Sequence, residues 1–221
     1  MSGADGAGIP VCVFAKPPVR GRVKTRLAAA FGHDWAAELA AAMLHDVWSV
    51  VTSARRAIPV LAAAENGNFG FDVPDDRVWL QCSADLGSRI ESILQRGLEI
   101  APAAIALGAD TPLLTRGDLV DAMEQLESGN AVLGPSDDGG FYLLGLRSCS
   151  AGLLADIPWS CQRTCDATEA SLNSYGMKVA RIRPSFDIDT PDDVHRLWRE
   201  VDELPPEVAP RTRKVLDALE W

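Results

Sequence analysis

The stretch IPVCVFAKPPVRGRVKTRL, residues 9–27, joins two segments of opposite character. Residues 9–15 form a short apolar run with β-branched side chains, which predicts a buried strand. Residues 16–27 hold five of the chain's 21 Lys and Arg residues and no acid, and their two prolines and Gly21 predict a loop before a helix that begins near Val23. Because a strand, a basic loop and a helix start follow one another, the stretch predicts a phosphate site rather than a merely solvated basic face.

The bulk composition limits the classes of protein to which this chain can belong. Its 221 residues are enough for one domain, and its formal net charge of −10 argues against general nucleic-acid binding, which needs an extended basic face. The five cysteines are odd in number, and Cys161 and Cys165 lack the further ligands of a zinc site, so reduced thiols in a cytoplasmic protein are expected. Residues 1–8 lack the features of a signal peptide, and no apolar run reaches the roughly 18 residues of a membrane span, so no membrane partner is expected.

Apolar runs alternate with amphipathic segments along the chain. Strands are predicted at residues 9–15, 58–64, 78–82, 103–109, 131–133, 141–146 and 178–182. Helices are predicted at residues 23–31, 35–51, 86–100, 119–126, 168–175 and 189–201. This alternation predicts an α/β fold of three layers, α/β/α, around a mostly parallel open sheet. We expect residues 1–204 to form a single domain and residues 205–221 to form a helical tail packed on it.

Three local details of the helices also follow from the sequence. Asp34 is expected to cap the helix that follows it. Glu91 is expected to pair with Gln95 on the side of its helix away from the apolar face. Thr115 and Asp118 have the spacing of a capping box, so the next helix does not need the acid at the end of the preceding strand as its cap.

Acidic residues stand where predicted strands end, and ligands of open parallel sheets bind beyond that edge. Asp110 ends the apolar run AAIALGA, and Asp187 and Asp189 lie in the sequence FDIDTPDDV, residues 186–194. A hard divalent cation prefers one or two carboxylates together with phosphate oxygens and water. Asp110 is therefore predicted to bind Mg²⁺ or Mn²⁺, with Asp187 or Asp189 as a second ligand.

The segment GPSDDGGFYLLGL, residues 134–146, places two acids and two glycines between strands and allows two interpretations. It is either a hairpin turn, for which Asp-Gly is a common dipeptide, or a longer substrate loop at the carboxyl edge of the sheet. The spacing of Arg22, Lys24 and Arg26 predicts that these three side chains cannot all face one ligand. The sequences G-x-S-x-G, H-E-x-x-H and G-x-x-x-x-G-K-[ST] are absent, so the expected chemistry is positioning and charge neutralisation by a metal rather than covalent catalysis.

Four motifs in this order, FAKPPVRGRVKTRL, GADTPLL, GPSDDGGFYLLGL and DIDTPDDV, resemble a bacterial family of GT-A-type glycosyltransferases that includes proteins assigned to arsenosugar biosynthesis. At greater distance the chain is similar to phospholactate and molybdenum-cofactor guanylyltransferases, which share a basic first loop that ends in K-T-R-L or its equivalent. The segment LGSR, residues 86–89, also resembles the L-G-x-R of the family, and the match spans about residues 11–198. Arg20 stands where the family usually has Pro, and Ser136-Asp137 where Ala-Glu is commoner.

The resemblance implies a nucleotide-diphospho-sugar transferase (GT-A-like) fold that binds a nucleotide or nucleotide-sugar donor and a small-molecule acceptor. The residues implied to contact the nucleotide or its phosphates are Ala15, Lys16, Arg20, Gly21, Lys24, Arg26, Gly87 and Arg89. The residues implied to act in catalysis or to face the acceptor are Asp110, Asp137, Asp138, Gly139, Gly140 and Phe141. The second metal ligand beside Asp110 is implied to be Asp189, with Asp187 close behind.

Three functions fit these features. The first is glycosyl transfer from a nucleotide sugar, with a metal that neutralises the leaving phosphate. The second is nucleotidyl transfer from a nucleoside triphosphate to a phosphorylated small molecule, which a very basic loop favours because a triphosphate needs more counter-charge. The third is a non-catalytic nucleotide-binding protein on the same fold, since a fold does not fix a function.

Overall fold

The computed structural model describes residues 8–219, which form a central sheet with helices on both of its faces. The strands are β1 (Ile9–Ala15), β2 (Ala57–Ala63), β3 (Val78–Leu80), β4 (Ala104–Gly108), β5 (Ala131–Pro135), β6 (Phe141–Leu146) and β7 (Val179–Arg181). The helices are α1 (Thr25–Phe31), α2 (His33–Ser53), α3 (Leu86–Leu98), α4 (Arg116–Glu127), α5 (Thr164–Ser174), α6 (Pro191–Asp202) and α7 (Pro210–Asp217). The expectation about a signal peptide in residues 1–8 and the end of the predicted tail fall largely outside the described residues.

The sheet has the strand order β3-β2-β1-β4-β6-β5-β7. Every neighbouring pair is parallel except the two pairs that include β6, which runs antiparallel to both β4 and β5. The chain after β1, β4 and β5 therefore emerges at the same edge of the sheet, which we call the carboxyl edge. The predicted α/β fold with a mostly parallel open sheet is confirmed.

Alternating residues of β1 show how the two helical layers cover the sheet. Val11 and Val13 are fully buried in a cluster that includes Leu44 of α2. Cys12, between them, is fully buried against Ile93 of α3 on the opposite face. Because successive side chains of a strand point to opposite faces, a strand that is apolar at every position has to be covered on both.

The C-terminal helix α7 lies against α2. The carboxylate of Asp46, which is buried in α2, accepts backbone N–H hydrogen bonds from Arg211 and Thr212 at the start of α7. Leu216 of α7 packs in the same apolar cluster as Leu39 of α2. A buried carboxylate thus satisfies N–H groups that the first turn of a helix leaves without partners.

Two of the predicted local details are wrong. The first turn of α2 is preceded by Gly32 and has no side-chain cap; Asp34 lies inside that turn and forms an ion pair with Arg20 instead. Glu91 does not pair with Gln95, because it is buried and accepts backbone N–H hydrogen bonds from residues 152 and 154. Gln95 donates to the carbonyl oxygen of Cys149. Spacing within a helix cannot reveal partners that a distant segment supplies.

Two further features concern the chain as a whole. All five cysteines are free thiols. Within residues 8–219, none of the helices is both long enough and apolar enough to cross a membrane.

The capping box at the start of α4 is confirmed and extends into an ion pair. Thr115 and Asp118 exchange hydrogen bonds between their side chains and backbone N–H groups. The buried Asp118 carboxylate also accepts two hydrogen bonds of 2.8 Å from the Arg183 guanidinium, which follows β7. Burial alone would raise the pKa of Asp118, but the hydrogen bonds from Arg183 and Thr115 outweigh burial and hold this pKa below its ordinary value. Asp118 therefore joins α4 to the segment that leads to Asp187.

Replacing Asp118 is expected to destabilise the fold. Asp118→Ala removes the cap and leaves Arg183 without its carboxylate, so the free energy of unfolding should fall by about 2–4 kcal/mol. Urea denaturation followed by circular dichroism measures this loss. Asp121→Ala, an exposed position on the same helix, is the control and should change stability by less than about 0.5 kcal/mol. Equal losses in the two variants would contradict the structural role of Asp118.

Candidate active site

Three segments meet at the carboxyl edge around a cavity of about 420 Å³, which we call the first cavity. They are the basic loop after β1, the segment after β4 that begins with Asp110, and the segment before α6 that contains Asp189. The residues that line this cavity are Phe14, Ala15, Lys16, Arg22, Val23, Lys24, Thr25, Arg26, Ala40, Leu44, Ala64, Gln81, Leu86, Arg89, Ala109, Asp110 and Asp189. Five of them are basic and two are acidic, so the cavity is suited to an anion that arrives with a cation.

The basic loop reaches the cavity through two left-handed backbone positions. Gly21 has a φ of +77°, and the N–H of Arg22 donates to the carbonyl oxygen of Val19 to close a tight turn. Lys24 has a φ of +46°, which is uncommon for a residue with a side chain and costs about 1–3 kcal/mol. Such strain persists where surrounding contacts over-determine it, and functional sites are where it is commonly found. α1 then begins at Thr25 and has only seven residues, so side chains rather than the helix end supply most of the positive charge.

The Lys24 ammonium group lies between two carboxylates at the floor of the cavity. Its Nζ is 2.9 Å from Asp110 Oδ2 and 2.9 Å from Asp189 Oδ1. The Lys24 side chain is only 6% exposed, whereas both carboxylates are about half exposed. Burial alone would lower the pKa of Lys24, but the two carboxylates outweigh burial and raise it. The Lys24 side chain is therefore held in its charged form, and Asp110 and Asp189 share it.

The basic residues predicted to contact phosphate are divided between two places. Lys16, Lys24, Arg26 and Arg89 line the first cavity. Arg20 does not, because its guanidinium, in a side chain that is 67% exposed, pairs with Asp34 on the surface. Arg22, Lys24 and Arg26 all line the cavity, but Arg22 is largely exposed and forms an ion pair with Glu65. Whether the three side chains can face one ligand stays a prediction.

The glycines predicted near the nucleotide have backbone roles. Gly21 turns the loop without lining the cavity. Gly87 does not line the cavity either: a Cβ atom at this position would lie 2.8 Å from the carbonyl oxygen of Leu154 and 3.2 Å from the Trp159 ring. The start of α3 can therefore pack closely on the segment before α5, while Arg89, one half-turn further, faces the first cavity.

A second cavity of about 240 Å³ adjoins the first, and Phe14 and Leu86 line both. The remaining residues that line it are Ile90, Ala106, Leu107, Gly108, Asp138, Gly140, Phe141, Tyr142, Trp159, Ser160, Cys161, Thr164 and Asp187. Asp187 is the most perturbed acid there. Burial, followed by repulsion from Asp110 and Asp138, raises the pKa of Asp187 to about 7. Thr111 Oγ1 donates to Asp187 Oδ1 at 3.3 Å.

The loop of residues 136–140 combines the two interpretations that the sequence left open. It joins the antiparallel strands β5 and β6 and is therefore a hairpin connection, yet it also borders the second cavity. Asp138 faces that cavity, and its Oδ1 accepts the N–H of Gly140 at 2.8 Å. Asp137 lines neither cavity and instead forms an ion pair of 2.7 Å with Arg196 of α6.

Gly139 fixes this loop against the segment before α5. Its φ is +87°, and a Cβ atom would lie 2.3 Å from the backbone of Gln162. Its carbonyl oxygen accepts the N–H of Cys165 at 2.8 Å. A glycine is thus required at this position, and it holds Asp138 and Gly140 beside the turn that carries Trp159.

Several cavity residues were not predicted from the sequence. Gln81, directly after β3, lines the first cavity and donates to the carbonyl oxygen of Ala62. Because Gln81 is a polar residue directly after a strand, it could have been predicted from the sequence as a residue of the carboxyl edge. Trp159 and Cys161 line the second cavity from an irregular segment whose position depends on distant contacts, and the sequence carries no comparable signal for them.

The acidic residues at the carboxyl edge suit a hard divalent cation, such as Mg²⁺, that binds few protein ligands. Among residues 8–219, no three His, Cys, Asp or Glu side chains are grouped as a ready metal site. Asp110 and Asp189 nevertheless already share one cation, the Lys24 ammonium. A cation that takes one or two carboxylates and completes its coordination with phosphate oxygens and water fits this donor set.

The raised pKa of Asp187 predicts a pH-dependent stability. Because the folded state holds the Asp187 proton more tightly than the unfolded chain does, stability should fall as the pH rises from about 4 to about 7. In the presence of EDTA, Asp187→Asn should therefore be more stable than the wild type at pH 8, by roughly 2–4 kcal/mol, and this gain should shrink towards pH 4. Urea denaturation at several pH values measures it. Asp192→Asn, at an exposed position in α6, controls for the loss of one charge, and a gain for Asp187→Asn that did not vary with pH would contradict the prediction.

Solved structures share this fold. A protein from Desulfovibrio desulfuricans G20, described as a candidate nucleotide-diphospho-sugar transferase, matches with a TM-score of 0.85 and 23% identity over 96% of this chain and 94% of that one. A CMP:2-keto-3-deoxy-manno-octonic acid synthetase complexed with CTP matches with a TM-score of 0.54 and 12% identity over 90% and 100% of the two chains. A cytidylyltransferase from Leptospira borgpetersenii matches with a TM-score of 0.53 and 14% identity over 96% and 94%. These likenesses establish a nucleotide-diphospho-sugar transferase fold.

The sequence comparisons identify the family to which this chain belongs. No curated protein matches the sequence. Residues 47–161, more than half of the chain, match the family described as "Uncharacterized protein conserved in bacteria (DUF2064)". This protein therefore belongs to the DUF2064 family, on the fold of the nucleotide-diphospho-sugar transferases.

Proposed function

We propose that this protein is a metal-dependent enzyme that transfers a glycosyl group from a nucleotide-diphospho-sugar to a small-molecule acceptor. The observation that carries the proposal is the Lys24 ammonium between Asp110 and Asp189, at the floor of a cavity lined by four further basic side chains. This arrangement offers positive charge to phosphates and carboxylate oxygens to a metal at one place.

The first cavity suits the donor. Its volume of about 420 Å³ lies within the range of roughly 300–1,000 Å³ that is typical of small-molecule sites. Lys16, Arg26 and Arg89 line it and would bind the phosphates through charge-assisted hydrogen bonds. The match to a synthetase complexed with CTP is one of fold, and it supports a nucleotide at this edge by analogy only.

The metal would be Mg²⁺ or Mn²⁺, held by Asp110 and Asp189 with Asp187 beside them. When bound, such a cation neutralises the charge that develops on the leaving phosphate. The Lys24 ammonium contacts Asp110 Oδ2 and Asp189 Oδ1. If either of these oxygens took a cation, Lys24 would lose that contact, and its ammonium could then donate to a donor phosphate.

The second cavity suits the acceptor. Phe14 and Leu86 line both cavities, so the reacting atoms of donor and acceptor would meet beside these two apolar side chains. The acceptor oxygen would attack the anomeric carbon, and the bond from that carbon to the phosphate oxygen would break with its electron pair going to the nucleoside diphosphate. Asp138 Oδ2 would take the acceptor proton, because Oδ1 already accepts the N–H of Gly140.

One observation favours a second candidate, nucleotidyl transfer from a nucleoside triphosphate. Five basic residues line the first cavity, which is enough to bind three phosphates. This reaction would release pyrophosphate rather than a nucleoside diphosphate.

Donor binding and product analysis together test the proposal. A thermal-shift panel of nucleotide sugars and nucleoside triphosphates, each with and without Mg²⁺ or Mn²⁺, should show metal-dependent stabilisation by a nucleotide sugar, since ligands that bind the native state stabilise it. Incubation with acceptors should then release a nucleoside diphosphate. Pyrophosphate release without turnover of any nucleotide sugar would establish the second candidate. Nucleotide binding that is indifferent to metal and leads to no turnover would indicate a non-catalytic nucleotide-binding protein.

Replacing Asp110 should abolish the metal dependence. Asp110→Asn removes the charge that is expected to bind the cation, so kcat/KM should fall by about 100-fold or more. The thermal shift given by the nucleotide sugar should no longer depend on Mg²⁺. Asp137→Asn is the matched control, because Asp137 pairs with Arg196 outside both cavities and should retain wild-type metal dependence. A metal-dependent shift in Asp110→Asn would contradict the assignment.

Replacing Lys24 should separate metal binding from nucleotide binding. In Lys24→Met no ammonium competes for Asp110 and Asp189, so Mg²⁺ alone should raise the melting temperature more than in the wild type. The affinity for the nucleotide should fall by about 10–100-fold, the size expected for a lost charge-assisted hydrogen bond. Differential scanning fluorimetry and isothermal titration calorimetry measure the two effects. Arg20→Ala, from the same loop but outside the cavity, should change neither, and a smaller Mg²⁺ effect in Lys24→Met would contradict the exchange.

A further inference from the structure

The second cavity has an unusual combination of walls for a transferase that handles phosphates. Of the described residues that line it, none is Lys, Arg or His, and two, Asp138 and Asp187, are acidic. Most of the other lining residues are apolar, and four of them are aromatic: Phe14, Phe141, Tyr142 and Trp159. The adjoining first cavity has the opposite character, with five basic residues.

The aromatic wall is held in place by the fold. The rings of Phe141 and Trp159 meet edge to face, with centroids 5.9 Å apart. Thr164 Oγ1 donates to the carbonyl oxygen of Pro158 at 2.7 Å and fixes the turn that carries Trp159. The bond from the N–H of Cys165 to the carbonyl oxygen of Gly139 ties this turn to the loop of Asp138. The two walls of the cavity are therefore linked to each other before any ligand binds.

The charge of the cavity excludes one class of acceptor. A phosphate or carboxylate group placed in this cavity would be repelled by the Asp138 carboxylate and would find no basic side chain among the described lining residues. Carboxylates instead accept hydrogen bonds from hydroxyl groups, and aromatic rings pack against the apolar face of a ring. A cavity of about 240 Å³ is smaller than the roughly 300–1,000 Å³ of sites for drug-sized ligands, which limits the occupant to about one ring.

We infer that the acceptor is a hydroxyl compound of about one ring that carries neither a phosphate nor a carboxylate, and that it binds with its apolar face on Phe141 and Trp159 and its hydroxyl groups towards Asp138 and Asp187. This inference rests on the proposed function, in which the second cavity holds the acceptor. It also separates the two candidate reactions, because nucleotidyl transfer of the kind considered above uses a phosphorylated acceptor. Sugar-like and aromatic alcohols belong to the inferred class.

Cys161 offers a direct measurement of occupancy, because it lines the second cavity as a free thiol. A backbone hydrogen bond at Arg163 lowers its pKa, which favours the thiolate that reacts with iodoacetamide. Cys82 is exposed and lies outside the cavity, so it is an internal control in the same sample. Peptide mass spectrometry reports the alkylation rate of each cysteine separately and requires no donor.

The probes are a matched pair of one-ring compounds: methyl β-D-glucopyranoside and methyl β-D-glucuronide, in which a carboxylate replaces the hydroxymethyl group, with glucose 6-phosphate as a phosphorylated compound. At ten times its Kd, methyl β-D-glucopyranoside should slow the alkylation of Cys161 by about tenfold and leave Cys82 unchanged. The glucuronide and the phosphate should give no protection at the same concentration. Equal or better protection by either anion, or no protection by the glucopyranoside with or without the best nucleotide from the thermal-shift panel, would overturn the inference.

Two variants test whether the ligand that protects Cys161 binds in the second cavity. Trp159→Ala should weaken protection by the glucopyranoside by at least about fivefold, whereas Tyr175→Ala, at an exposed aromatic residue elsewhere, should not. Asp138→Lys places a cation at the rim of the cavity, so glucose 6-phosphate should then protect Cys161 from alkylation. If glucose 6-phosphate still gave no protection in a folded Asp138→Lys protein, that result would count against the charge argument.

If the glucopyranoside protects Cys161 but no nucleotide stabilises the protein, the donor proposal fails while the cavity assignment stands. If a nucleotide sugar binds and only anions protect, the inference alone fails.

Discussion

The ammonium group of Lys24 between Asp110 and Asp189 is the interaction on which the candidate site depends. It joins the loop after β1 to the segment after β4 and to the segment before α6, which are far apart in the sequence. Lys24 has a left-handed backbone conformation, which is uncommon for a residue with a side chain. Two carboxylates and one ammonium thus hold these three segments together at the first cavity.

The sheet topology explains why these groups meet. β1 and β4 are parallel neighbours, so the basic loop and Asp110 leave the sheet side by side. β5 ends at the same edge, and the reversal into β6 leaves the Asp138 loop there. After β7 the chain returns along this edge, with Ser185 bridged to Ser136, and so brings Asp187 and Asp189 to the end of β4. One antiparallel strand in a parallel sheet therefore adds an acidic, aromatic cavity beside a basic one.

The sequence contains enough information to predict the layers of the fold and the residues at the carboxyl edge, because apolar strands and the polar residues that follow them are local patterns. Asp110, close after the end of β4, could be placed there in this way. Asp189 and Lys24 lie further from the ends of β7 and β1, and their selection also rests on the resemblance of their motifs. The sequence does not reveal that Lys24 is left-handed, that Arg20 turns to Asp34, or that Glu91 accepts N–H groups from residues 152 and 154. These depend on contacts between distant segments. The same is true of Trp159, whose place in a cavity wall is set by Thr164 and by the close approach of Gly139.

In the proposed reaction, the basic first cavity would hold the donor and the acidic second cavity would hold the acceptor. The Lys24 ammonium would move from the carboxylates to a donor phosphate when the metal binds. An anomalous difference map from a crystal grown with Mn²⁺ and a hydrolysis-resistant nucleotide sugar tests this most directly. The account predicts a Mn²⁺ peak shared by Asp110 and Asp189, with Lys24 Nζ on a donor phosphate. A Mn²⁺ peak elsewhere, with Lys24 still between the two carboxylates and the nucleotide outside the first cavity, would contradict it.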